Sequence, residues 1–215
     1  MKSIGVTMST GTHSEQSLTP GARRILDVAS ELFYWRGINA VGVDTIAAES
    51  GVTKRTLYDR FGSKDNLVAA YLEARDRRWR DTVTARLRDA PPDPVARVLV
   101  PFDALPEWLA PSTRGCGFSN AFAELPDADH PGRRIAVAEK TWLRALFRDL
   151  LTEAGAADGN DVEALATQLL SLHEGAIISY AVANDDSAVA AARAAAKVLV
   201  TGALPGPLAD QPSSC

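Results

Sequence analysis

A chain of 215 residues, 46% hydrophobic and 23% charged, is long enough to bury a sizeable core and too apolar to be disordered through most of its length. Its formal net charge of −4 excludes nucleic-acid binding through the field of the whole molecule, so any such binding must come from a local cluster of Lys and Arg. Two cysteines, Cys116 and Cys215, form neither a disulfide framework nor a metal-ligand spacing, and no signal peptide or membrane-length apolar run is present, which together read as a cytoplasmic chain with no cofactor and no membrane partner.

In chain order, residues 1–18 read as a flexible leader. Thr19-Pro20 is an N-cap followed by proline at the first helical position, and Ile25, Val28, Ala29, Leu32 and Phe33 recur at helical spacing up to Gly37. This predicts a helix over 20–36. A short helix over 43–50 turns Ile46 and Ala47 inward and closes at Gly51, and another over 53–59 has Thr53 as its N-cap. Ser63 caps a longer helix that runs to about residue 89, in which Arg75, Arg77, Arg78 and Arg80 read as a solvated face. Pro91-Pro92-Asp93-Pro94 cannot continue a helix and marks a boundary.

Beyond that boundary, residues 95–110 are apolar but interrupted by Pro101 and Pro106, which predicts a kinked or broken helix. Arg114 to Phe118 reads as a loop, 119–125 as a short helix and 133–153 as a longer one ended by Gly155. Val162, Leu165, Ala166, Leu169, Leu172, His173, Ala176, Ile177 and Tyr180 step by three and four along a helix over 161–182, and 187–200 is alanine-rich helix. The residues from 204 on read as a disordered tail. No run of alternating β-formers occurs, so the expected fold class is all-α. Its expected parts are the leader 1–18, a three-helix helix-turn-helix unit over 19–67, a helical bundle over 68–203 and the tail 204–215.

The stretch Val43–Phe61, VDTIAAESGVTKRTLYDRF, places two short helices around a Gly51-Val52 turn with small Ala47 at their crossing. A helix-turn-helix requires this, because its helices cross closely and the second projects polar side chains into the major groove. Ile46-Ala47, Gly51-Val52, Leu57-Tyr58, Phe61, Ser63-Lys64 and Leu67, with Ala29, Leu32, Phe33 and Gly37 upstream, resemble the N-terminal domain of TetR-family regulators over roughly residues 20–67. Asp59 and Glu49-Ser50 depart from the commonest pattern without touching its apolar positions. The resemblance implies that Lys54, Arg55, Thr56 and Tyr58 touch double-stranded DNA beside the Thr53 cap, and that Thr45 and Lys64 contact phosphates at a palindromic operator. The residue chemistry agrees, since Arg and Lys read guanine or neutralise phosphate while hydroxyls and helix N-termini hold phosphate oxygens.

The resemblance further implies a repressor that dimerises through its last two long helices and is released by a small effector. Phe102, Trp108, Phe118, Phe122 and Trp142, with Glu174 as a polar contact, are the candidates to line a largely apolar effector pocket. The alternative is a helical ligand-binding or enzymatic protein without specific DNA binding. Against catalysis, His173-Glu174 begins a zinc-protease motif but Ile177 stands where its second histidine belongs, and Gly117–Ala121 lacks the second glycine of a nucleophile elbow.

Overall fold

The computed structural model describes residues 18–110, 114–156 and 160–204, and the regular structure among them is entirely helical. The expected leader and tail, with Cys215, lie outside the described residues except for Leu18 and Leu204. The helices are α1 (Pro20–Arg36), α2 (Val43–Glu49), α3 (Lys54–Phe61), α4 (Lys64–Asp89), α5 (Pro94–Leu109), α6 (Gly117–Glu124), α7 (Pro131–Glu153), α8 (Asn160–Val182) and α9 (Ala188–Ala203). Among the described residues no helix is long and apolar enough to cross a membrane.

The starts of these helices follow from side-chain caps. Thr19 accepts from the Ala22 amide, Thr53 from Thr56, Ser63 from Asn66 and Asp93 from Ala96, each satisfying a donor that the helix cannot. Gly62, at φ 75°, closes α3 after Phe61, so that helix runs past the expected end at 59.

Two cores result. One joins α1–α4 to α6 and to one side of α5, α7, α8 and α9 through Ile25, Ile46, Leu57, Leu72, Leu105, Phe118, Ala136, Ile177 and Val189, and the other joins α5, α7, α8 and α9 to one another through Phe102, Leu143, Phe147, Ala166, Leu169 and Ala196. Packing explains the departures from expectation. The α5 helix continues through Pro101 and Pro106 because Val98, Leu99, Phe102, Leu105 and Leu109 are all buried along it, and tertiary packing outweighs the lost N–H donors. Gly117 and Phe118 belong to the first turn of α6 and not to a loop; a Cβ on Gly117 would lie 2.8 Å from Arg75 Nε.

The arginine run on α4 is no single solvated face. At about 100° per residue, positions 75, 77, 78 and 80 point to different sides of the helix. Arg75 is buried, Arg78 is exposed, and Arg80 is paired with Asp76 and lies over the Trp142 ring. Likewise the α8 stripe faces its own chain: Leu169 and Ile177 are buried within one protomer.

Leu57 is fully buried and pins α3 to α1 and α4. Replacing it with Ala should cost about 2–5 kcal/mol, read as a lower urea midpoint with unchanged slope; a loss below about 0.5 kcal/mol, ordinary for surface sites, would contradict this anchoring.

Candidate nucleic-acid interface and buried polar cluster

The turn between α2 and α3 is built from backbone. Val52 N donates to Ala47 O at 3.0 Å and Gly51 N to Ala48 O at 3.2 Å, with Gly51 at φ 66°, where a side chain would be strained. Ser50 is buried because its hydroxyl donates to the Ile46 carbonyl at 2.6 Å, which accommodates a polar residue just before the turn. With Ala47 buried and Leu57 fixed below, α3 projects its other side outward.

On that side Thr53, Lys54, Arg55, Tyr58, Asp59 and Arg60 are exposed and Thr56 is half-buried. Thr45 on α2 and Lys64 in the first turn of α4 are half-buried beside them. Thr53 Oγ1 lies 3.0 Å from Thr56 Oγ1 while capping the helix. Lys54 Nζ is 2.6 Å from Asp44 Oδ1, and Arg55 Nε is 3.9 Å from Asp59 Oδ2 with the arginine side chain 90% exposed. Exposed pairs of this kind contribute about 0–1 kcal/mol, so phosphate can compete for both cations.

The α6 segment grips this unit at two points. Arg114 Nη1 donates to Tyr34 O at 2.6 Å and Tyr34 Oη to Gly115 O at 3.0 Å. Asn39, in the turn after α1, donates from its backbone to Glu124 Oε2 at 2.8 Å and from its side chain to Glu124 O at 2.9 Å. These contacts join residues some 80 positions apart, and nothing local in the sequence marks them.

The pocket candidates divide. Phe102 is fully buried against His173 and Phe147, with ring centroids 5.6 and 5.8 Å away. Trp79 stands 5.7 Å from His173 and 5.1 Å from Trp108, so Phe102 and Trp79 pack on the His173 ring, Trp108 packs on Trp79, and Glu174 lies beside Nδ1. Phe118 is buried beside Lys140, whose Nζ is 5.6 Å from its ring. Trp142 lies half-buried under Arg80, and Phe122 is 41% exposed with Arg133 over its ring. His173 itself reads from its stripe as a core histidine, and the chemistry gathered around it comes from distant helices.

Lys140 Nζ contacts Glu139 at 2.8 Å, Glu174 at 2.9 Å and Cys116 Sγ at 3.4 Å. Burial raises the Glu139 carboxyl above the ordinary range, with Lys140 opposing. Burial also works against the Glu174 charge, but the hydrogen bond from His173 and the Lys140 charge outweigh it and hold that carboxyl at about 2. Burial lowers His173, so its ring is neutral at pH 7 despite Glu174. Glu174 Oε1 lies 3.3 Å from Nδ1, the Pro101 carbonyl also meets the ring, and Nε2 makes no hydrogen bond of full geometry among the described residues. Among the described residues no His, Cys, Asp and Glu grouping could hold a metal ion.

Comparison with known proteins identifies this arrangement. The sequence pattern of bacterial regulatory proteins of the tetR family matches residues 25–71, and that of the tetracyclin repressor-like C-terminal domain matches 94–196. A solved TetR-family transcriptional regulator from Streptomyces coelicolor is 33% identical, with a TM-score of 0.78 over 85% of this chain and 95% of that one. The chain belongs to the tetR family of transcriptional regulators. An uncharacterized HTH-type transcriptional regulator of Mycobacterium tuberculosis is 35% identical over 79 residues, 37% of this chain, and the chain spans only 39% of that protein's length. The transcriptional activator FasR of Mycolicibacterium smegmatis and the repressor DhaR of a Mycobacterium species are each 27% identical over 154 residues. The first match covers 69% of this chain and 67% of FasR, the second 71% and 76% of DhaR.

Two outcomes follow. Lys54→Ala with Arg55→Ala should weaken binding to a selected DNA site by 100-fold or more, at about 1–3 kcal/mol per base contact, and leave the circular dichroism spectrum unchanged; full binding by anisotropy would remove α3 from the interface. Glu174 stabilises the fold fully above its ordinary value of 4.5, and this contribution is lost as pH falls toward about 2. The stability deficit of Glu174→Gln, about 1–3 kcal/mol at neutral pH, should therefore shrink between about pH 7 and about pH 3.5 in urea titrations. An equal deficit at both ends would contradict the ionised state.

Proposed function

We propose that the protein binds a palindromic operator as a homodimer and represses until a small effector, held around His173, releases it. The outward face of α3 carries this reading: a basic, hydroxyl-rich surface on a helix whose opposite side is locked by Leu57. In it Lys54, Arg55 and Tyr58 reach bases and phosphates, Thr53 and Thr56 present the helix start, and Thr45 and Lys64 hold backbone oxygens on either side. The reading unit ends near residue 67, where α4 passes into the effector-binding bundle.

Dimerisation falls to α8 and α9, at faces other than the buried stripe. Ile178, Val182, Val198 and Leu199 are large apolar residues left exposed there. Between the helices runs a groove of about 980 Å³ walled by Gly175, Ala188, Ala191, Ala192 and Ala195, small residues that admit close approach of another helix.

The effector is largely apolar, to match Phe102, Trp79, Trp108 and Phe147, and it carries a polar group that meets the neutral His173 ring. It acts by preferring the protein state that does not hold DNA, so operator DNA weakens effector binding by the same factor. No catalytic step enters this mechanism.

Val198→Glu, at a side 73% exposed in one protomer, should leave each subunit folded yet monomeric in sedimentation and reduce operator affinity to that of a half-site. A normal dimer would exclude this face from the interface.

A further inference from the structure

Between α1, α4 and the end of α5 lie two clefts, of about 540 and 330 Å³, that share Glu31, Tyr34, Trp35, Arg75 and Arg78. Arg75 is their floor and is 8% exposed. Its guanidinium carbon sits 4.9 Å from the Tyr34 ring and 5.0 Å from the Trp108 ring. No carboxylate or other acceptor among the described residues pairs with it, and its Nε is buried without a partner. Buried guanidinium groups in folded proteins are normally paired, because an uncompensated buried charge is costly.

The two aromatic rings engage the π system of the guanidinium and leave its in-plane N–H donors unanswered. What answers them is an acceptor lying in that plane, and a carboxylate presents two coplanar oxygens. Tyr71, beside Arg75, is pushed up to about 12 by burial and stays a neutral hydroxyl, able to donate as well. At the mouth, Trp35 is 48% exposed and stands edge-on to Tyr34 at 5.1 Å, an apolar surface with no covering group among the described residues.

The remaining charges facing the clefts are Arg78, Asp27, Glu31 and Glu107. Glu107 is occupied by Arg86. Asp27, Glu31 and Arg78 are exposed at the rim, where water and salt screen them far more than they screen Arg75. The carboxylates on α1 are placed to meet an amino group if the ligand has one.

We propose that this cleft is a binding site for a small aromatic carboxylate, its carboxylate on Arg75 and its ring against Trp35. The site differs in chemistry from the surroundings of His173, which offer a neutral imidazole, and Trp108 and Trp79 form the wall between them.

Binding here needs no DNA and is measured on the full chain. Benzoate, phenylalanine and neutral benzamide are titrated while the indole N–H signals of the four tryptophans are followed by NMR. Benzoate, phenylalanine or both should shift Trp35 and Trp108 saturably, with benzamide inert; preference for phenylalanine would assign Asp27 and Glu31 to the amino group. Arg75→Lys should weaken binding about tenfold or more through loss of charge-assisted hydrogen bonds. Trp35→Ala, at an exposed position that leaves folding intact, should weaken it as well. Absence of saturable shifts with both carboxylates, equal binding of benzamide, or wild-type affinity in both variants would overturn the site.

Discussion

One continuous helix, α4, belongs to both halves of the molecule, and the function of each half depends on it. Its first turn is capped by Ser63 and buries Leu67 and Val68 against α1, beneath the reading helix. Further along, Trp79 and Val83 lie in the core, with Trp79 against His173. At 26 residues and 1.5 Å per residue the helix is roughly 39 Å long, stiff enough to carry a displacement at one end to the other. The Asn39–Glu124 contacts add a second attachment between α6 and the turn after α1. A head held at two points moves when the packing between those points changes, and a dimer that must match successive major grooves responds to such movement in its DNA affinity.

The buried cluster of Glu139, Lys140, His173 and Glu174 is a costly way to fill a helical bundle. Replacing a buried ion pair with apolar side chains is often neutral or stabilising, so such a cluster is not explained by stability. Its members are also held in unequal states: burial raises Glu139, while Lys140 and His173 keep Glu174 ionised. The outcome is a neutral imidazole set among aromatic rings.

Local chemistry was legible in the sequence, and tertiary partnership was not. The helix starts at Pro20, Lys54 and Lys64 were readable because each depends on a cap one residue earlier. The turn at Gly51 was readable because so few residues tolerate its backbone geometry. The α8 stripe showed which residues share a face, but periodicity does not say what covers that face, and Leu169 and Ile177 turned out to be covered by their own chain. Of the kinked or broken helix expected at Pro101 and Pro106, the break did not appear, because packing along α5 overrides a local penalty. Arg75 looked solvated as part of a run, although the helical angle already separated it from Arg78. The contacts of Lys140 with Cys116 and Glu174, and of Asn39 with Glu124, bridge helices far apart in the chain and leave no local trace.

Selection of bound sites from random duplexes with the purified chain tests most directly whether paired α3 helices read DNA sequence. The account predicts enrichment of an inverted repeat whose half-sites are centred about 10 base pairs apart or a multiple of that, with Arg55→Ala relaxing the preference at one position in each half. Failure of any sequence to enrich, or enrichment of the same motif with unchanged preference by the Arg55 variant, would contradict it.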